Sequence, residues 1–148
     1  MTTPPLPLPC TGARLRRLTR RVTVFYEQYL RSVGLRLTQY SLLAHLDTTP
    51  QSLLALAERL EMDRTTLTRG LKPLVAAGWV VQHPGRDARQ RLLSLTPDGV
   101  AQRARARAVW AQAQLDLEAA MDRSFVAQLN HTLDEALQRL KPALPEDN

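Results

Sequence analysis

The sequence predicts a mainly α fold with one small β-hairpin wing. Three observations carry that expectation. Residues 62–78, MDRTTLTRGLKPLVAAG, read as a short helix with a defined start and stop. Asp63 is a good N-cap, because its carboxylate can accept the free amides of the first turn, and Gly78 suits the left-handed residue that closes a helix. Just upstream, Ser52 can cap a second short helix through LLALAERLE, and only residues 61–63 separate the two. Two short helices so closely joined fit a helix-turn-helix. Downstream, WVVQH and RLLSL are short β-prone runs around PGRDARQ, which reads as a hairpin with a basic tip, Pro84 and Gly85 breaking the first run. Helix, tight turn, helix and a two-stranded wing make a winged helix-turn-helix.

In chain order, residues 1–9 hold four prolines, and residues 1–11 are expected to be a flexible arm, extended or disordered. Residues 12–33 form a long helix ended by Gly34. Its Leu15, Leu18, Val22, Phe25 and Tyr29 alternate by three and four, a narrow seam that needs an apolar partner. Thr38 is expected to cap a short helix, QYSLLAHLD, with Leu42, Leu43 and Leu46 in the core. The loop TTPQ leads to Ser52 and a helix whose Leu53, Leu56, Ala57 and Leu60 share a face. In the next helix Leu67, Leu71, Leu74 and Val75 make one apolar stripe. Pro73 removes an amide there and crowds the carbonyl of Arg69, so a bend is expected. After the wing, Thr96-Pro97 is a capped start with proline at the first helical position, opening an alanine- and arginine-rich helix to about Met121. Ser124 is expected to cap a last helix, 125–141, with Val126, Leu129, Leu133, Leu137 and Leu140 on one side. Pro142 and Pro145 end it.

The 148 residues make one domain-sized chain, and 44% of them are hydrophobic, which is no disordered composition. No apolar run approaches the ~20 residues of a membrane helix, and the N-terminus lacks the features of a signal peptide. A cytoplasmic protein is expected, with no membrane partner. The single cysteine excludes an intrachain disulfide and a cysteine-rich zinc site. Net charge is +6, and 18 of the 20 cations are arginine, a bias suited to phosphate and guanine. Residues 1–33 hold six arginines and one acid, residues 34–100 eight cations and six acids, and residues 101–148 six cations and seven acids. The excess therefore lies in the first helix.

These segments together resemble the multiple antibiotic resistance regulator (MarR) family of bacterial transcription factors. The residues that carry the resemblance are LTQYSLLAHL (37–46), LAERLEMDRTTLTRGLKPLVAAGWV (56–80) and PGRDARQRLLSLTPDG (84–99), with the long helix behind them. The sharpest motif is Asp87-Ala88-Arg89 followed by Leu95-Thr96-Pro97. The resemblance implies a homodimer that binds double-stranded DNA, often released by a small-molecule effector or by thiol oxidation. It implies a winged helix-turn-helix DNA-binding domain over 34–96, a helical dimerisation body from 12–33 and 97–141, and a tail over 142–148. The expected function is a ligand-responsive repressor on a pseudo-palindromic operator. The alternatives are an oxidant sensor using Cys10 and a winged-helix protein-interaction module without DNA binding.

The candidate DNA-binding residues are Arg64, Thr65, Thr66, Thr68, Arg69 and Lys72 on the second helix of the motif, and Arg86, Asp87, Arg89 and Arg91 on the wing. The helix face carries cations and hydroxyls but no carboxylate. An ordinary solvated face would look alike on this helix alone; the flanking elements favour phosphates and base edges. Arg89, at the wing tip, can enter a minor groove, and Asp87 can pair with it and fix its direction. The family's Asp-x-Arg wing motif falls on these two residues. Some relatives sense peroxides through a thiol at the start of the first helix. That register falls on Gly12, and one partner tyrosine falls on Leu37, while Cys10 lies two residues early, so a non-sensing cysteine is favoured. A ligand pocket is expected where the wing domain meets the helical body, near Tyr26, Tyr40, His45 and Trp110; taken singly, each of these residues reads better as core or interface packing. His83 sits beside the wing within reach of a phosphate. His45, His83 and His131 have no partner at ligand spacing, so neither a metal nor a cofactor is expected. No nucleophile-base set or phosphate-cradling loop appears, and the expectation is a non-enzyme.

Overall fold

The computed structural model describes residues 10–87 and 89–141. The expected arm over 1–9, Ala88 of the wing motif and the tail with Pro142 and Pro145 lie outside the described residues. Six helices and a small antiparallel sheet follow in the order α1 (Thr11–Leu30), a 3-10 turn (Arg31–Val33), α2 (Leu37–His45), β1 (Gln51–Ser52), α3 (Leu53–Leu60), α4 (Arg64–Ala76), β2 (Val80–Pro84), β3 (Arg91–Leu95), α5 (Pro97–Met121) and α6 (Arg123–Arg139).

The core sits where α2, α3, α4 and the sheet converge. Leu43, Leu46, Leu56, Leu67, Leu71, Leu74, Val80 and Leu93 are all under 2% exposed or close to it. Each such leucine contributes about 1.5–3 kcal/mol by leaving water. The apolar spacing of α3 and α4 therefore does what the sequence implies. Gly70 faces α2, where an added Cβ would stand 3.0 Å from the Leu42 Cδ1 methyl.

Helix ends follow local chemistry, with some departures from expectation. The Asp63 carboxylate accepts the Thr66 amide at 2.8 Å, and Ser52 Oγ accepts the Ala55 amide at 3.0 Å. Glu61 takes a left-handed conformation, φ 51°, between α3 and α4. Gly78 closes α4 with φ 76°. That helix runs unbroken through Pro73, and the Ala77 amide returns to the Pro73 carbonyl at 3.0 Å. Thr38 is not a cap. α2 begins two residues earlier, with Arg36 at the cap position, because the Gln39 side chain reaches back to the Arg36 amide at 2.9 Å while Glu27 of α1 accepts the Leu37 amide at 3.3 Å. Ser124 is not a cap either. Asp122 holds that position and accepts the Ser124 amide at 2.8 Å and its hydroxyl at 2.9 Å; a carboxylate there also meets the positive end of α6. At the other end of the chain, Cys10 caps α1, its sulfur accepting the Ala13 amide at 3.4 Å, so the arm does not extend to residue 11. α1 tightens into the 3-10 turn before Gly34, φ 71°.

The sheet has three strands in the order β1-β3-β2. The wing hairpin pairs Val80 with Leu95 through Pro84 with Arg91, so Pro84 is the last strand residue and not a break. β1, within the segment read as a loop, pairs Gln51 with Leu93 and Ser52 with Leu92. Two residues are too short to show an alternation, and their partner is some forty residues away.

α5 ties this head to the body. Thr96 Oγ1 accepts the Gly99 amide at 3.0 Å and donates to the Gly78 carbonyl at 2.5 Å. Buried Gln102 donates to the Val33 carbonyl at 2.7 Å, and Arg103 donates to the Leu46 carbonyl at 2.5 Å. The buried side of α5 is Gly99, Gln102, Ala106 and Ala113, three of them small residues that let neighbouring elements approach closely. On α1 the deeply buried residues are Tyr26 and Leu30; the seam residue Leu15 is 45% exposed.

Candidate nucleic-acid interface

Burying Leu67, Leu71 and Leu74 turns the opposite side of α4 outward. Arg64, Thr65, Thr66, Arg69 and Lys72 are all exposed, and Thr68 is half-buried. Thr66 also has a structural task. Its hydroxyl donates to Asp63 at 2.6 Å, and this bond, ahead of the Thr66 amide, holds the Asp63 carboxyl below the usual carboxylate range. The start of α4 is thus anchored by a carboxylate that is ionised at neutral pH and spent on the helix.

The wing returns to this helix. A cleft of about 320 Å³ is lined by Ser52, Leu53, Leu54, Arg64, Thr68, Arg89, Gln90 and Arg91. It gathers three guanidiniums and no carboxylate, at the start of α3 beside the start of α4. Arg64, Thr68, Arg89 and Arg91, chosen from separate segments, come together here. Lys72 and Arg69 lie farther along α4, and Arg86 is exposed in the wing turn. The residues at the start of α3 were missed as part of this surface. The signal available was Ser52 itself, a cap marking a helix start with free amides.

The Asp87 carboxylate accepts the Arg89 backbone amide at 3.2 Å, and the Asp87 carbonyl accepts the Gln90 amide at 2.9 Å. The two residues make no side-chain ion pair among the described residues. Asp87 therefore shapes the wing backbone and does not pair with the Arg89 guanidinium, which corrects the expected pairing. His83 is not a free wing residue: it is half-buried and its Nε2 lies 2.8 Å from Ser94 Oγ across the hairpin.

Of the four residues expected around a ligand, Tyr26 and Tyr40 belong to one core with Trp110 packed against it, and His45 is exposed. Tyr40 and Trp110 stack, with centroids 6.0 Å apart and rings inclined by 29°. Burial raises the Tyr40 hydroxyl above its usual pKa, against a lowering by Arg107. Tyr26 donates to Gln114 and lines a groove of about 250 Å³ between α1, α5 and α6. Burial and then Glu118 raise its pKa. His45 is exposed, with Nδ1 2.7 Å from the Ser41 carbonyl of its own helix. Among the described residues there is no cluster of three His, Cys, Asp or Glu that could hold a metal, and no helix is long and apolar enough to cross a membrane.

The profile of the MarR family matches residues 33–90, which span the start of the head through most of the wing loop. Among solved structures, the chain is similar to the transcriptional regulator MOSR of M. tuberculosis in complex with DNA. The two share 31% identity over 86% of this chain and 98% of that one, with a TM-score of 0.70. The transcriptional repressor CouR, bound to a 23-mer DNA duplex, is 28% identical over 86% of this chain and 92% of that one, with a TM-score of 0.76. A mutant MarR from E. coli, complexed with operator DNA, is 25% identical over 85% and 92%, with a TM-score of 0.76. A search of curated proteins gives no match. With the order of elements, the carboxylate-free helix face and the wing folded back on it, this similarity over almost the full length of a solved regulator means that the chain belongs to the MarR family of winged-helix transcription regulators.

Proposed function

We propose that the protein is a homodimeric DNA-binding repressor, in which α4 reads a major-groove half-site and the wing reads the flanking minor groove. The observation that carries the reading is the exposed Arg64, Thr65, Arg69 and Lys72 face with the three-arginine cleft beside it. MOSR, CouR and MarR were each solved with DNA, which supports the same use here. Residues 34–96 are the DNA-binding head, and 12–33 with 97–141 the dimerisation body. Support for the dimer comes from apolar side chains left in water. Phe25 is only half-buried, while Leu15, Leu137 and Leu140 are 45%, 62% and 81% exposed around the α1/α5/α6 groove; so much apolar surface marks an interaction site. A pseudo-palindromic operator follows from two-fold symmetry. A small-molecule effector bound between head and body, near Tyr40 and Trp110, would act by favouring one spacing of the two heads over the other.

The test begins with selection of an operator from a random duplex pool, followed by a panel varied separately at core and flank. Arg69→Ala removes a side chain opposite the leucine stripe and should relax preference at one position per half-site, by ~1–3 kcal/mol of discrimination. Arg89→Ala should weaken A·T-flanked operators more than G·C-flanked ones, with core preference unchanged. Uniform loss across the panel in both variants would mean that both arginines touch phosphates only and that the division of labour is wrong.

A further inference from the structure

The sequence places most of the chain's excess positive charge away from the recognition helix. Six arginines and one acid over residues 1–33 give +5 of the net +6. Five of them, Arg14, Arg16, Arg17, Arg20 and Arg21, fall within the first eleven residues of α1. At 100° per residue they occupy one continuous face, opposite Leu15, Leu18 and Val22, which line the groove toward α5 and α6. All five are exposed. None makes an ion pair among the described residues.

This arrangement works against the helix that carries it. Like charges three and four residues apart weaken a helix, and Arg14/Arg17, Arg16/Arg20, Arg17/Arg20 and Arg17/Arg21 are such pairs. Cations near a helix N-terminus also oppose its dipole, and the first turn of α1 holds no acid. No acid occurs before Glu27. A face of guanidiniums with no ion-pair partner among the described residues is suited to an external polyanion. It is not continuous with the α4 face, because α1 packs on α5 and α2, and α2 lies between it and α4. The junction of α1 with α2 is near Glu27, which accepts the Leu37 amide. From there to Arg14 is thirteen residues, about 20 Å of helix.

We propose that the arginine face of α1 is a second DNA-binding surface, which takes phosphates of duplex outside the half-site read by α4. Two features favour DNA over a lipid surface. The cations are all arginine, whose planar fork matches phosphate oxygens. The apolar side of the same helix is turned into the groove and carries no aromatic residue before Phe25, so it offers little to acyl chains. The proposal rests on the DNA-binding reading of α4 and the wing.

The experiment uses the full chain and two probes: the selected operator core alone, and the same core extended by two helical turns, about 20 bp, on each side. Wild type is compared with a variant carrying Arg14→Gln, Arg16→Gln, Arg17→Gln, Arg20→Gln and Arg21→Gln, and with the five Arg→Lys changes. Glutamine is a comparable helix former, and circular dichroism checks folding; if the fivefold variant is unfolded, Arg14→Gln/Arg17→Gln replaces it. The expected result is an unchanged affinity for the core probe. On the extended probe the slope of log K against log salt should fall by about 2–4, at roughly 0.9 for each lost phosphate contact, and lysine should restore most of it. An unchanged slope on the extended probe overturns the surface while leaving the operator reading intact. Equal loss on both probes also overturns it, since the face would then belong to the operator footprint. Loss of binding to phosphatidylglycerol vesicles, with no difference on the extended probe, overturns it in favour of a lipid partner. Wild type that binds neither duplex overturns this proposal and the DNA-binding reading together.

Discussion

Gly99→Ala tests how the head is fixed to α5. Glycine is ordinarily a poor choice in a helix, and alanine would gain about 1 kcal/mol of propensity. Here an added Cβ would stand 1.9 Å from the Trp79 carbonyl oxygen and 2.9 Å from its carbon. Both are backbone atoms at the base of β2 and cannot swing aside. The same carbonyl accepts the Thr96 amide at 3.0 Å. Overpacking against fixed atoms costs about 3 kcal/mol, and weakening that hydrogen bond adds about 1 kcal/mol. Set against the propensity gain, the net is about 3 kcal/mol of destabilisation. Gly70→Ala is the control, because its Cβ would meet only the movable end of Leu42, at 3.0 Å. It should change stability by less than about 1 kcal/mol. Urea unfolding followed by circular dichroism, at one protein concentration, measures both. Gly99→Ala as stable as wild type, or matching Gly70→Ala, would refute the claim that α5 is seated directly on the Trp79 peptide.

Gln102→Leu should destabilise by about 1–3 kcal/mol, because it strands the Val33 carbonyl that the buried amide serves; the same urea assay checks it. Asp63 is held below the usual carboxylate range by the Thr66 hydroxyl and amide, so its folded pKa is depressed. Its contribution is present above the ordinary carboxylate pKa and lost as pH falls through the lower folded value. Asp63→Asn keeps a good cap, and it should flatten the acid-side fall of the unfolding midpoint. Cys10→Ser should leave DNA binding intact, since serine is also a good N-cap; peroxide release of wild type but not of this variant would count for an oxidant sensor. Sedimentation should find wild type dimeric at micromolar concentration, and Leu137→Glu with Leu140→Glu should shift it toward monomer, as both side chains are exposed.

Part of the candidate site was legible because local rules govern it. The stripe of Leu67, Leu71 and Leu74 identifies which side of α4 turns outward, and Asp63 identifies where it begins. The wing's position over α4 was not legible. Arg64 and Arg89 share a cleft because β3 and β1 pair across some forty residues, and no period in either segment encodes that pairing. The caps at Thr38 and Ser124 failed for a related reason. Several hydroxyls, amides and carboxylates competed for each helix start, and contacts such as Glu27 with the Leu37 amide decided among them.

By itself the amino-acid sequence determined the six helices, the helix-turn-helix, the two-stranded wing and the arginine excess at the start of the chain, but not β1 or the 3-10 turn. Those depend on apolar spacing, capping residues and charge counts within short windows, where the physics is local. Only the tertiary structure decided the seat of α5, whose buried side of Gly99, Gln102, Ala106 and Ala113 carries almost no hydropathy contrast. It also decided the stacking of Tyr40 on Trp110, and the joining of α3, α4 and the wing around one cleft. Each depends on which distant backbone a side chain meets, and a small residue or a half-buried ring gives no periodic sign of that before the chain has folded.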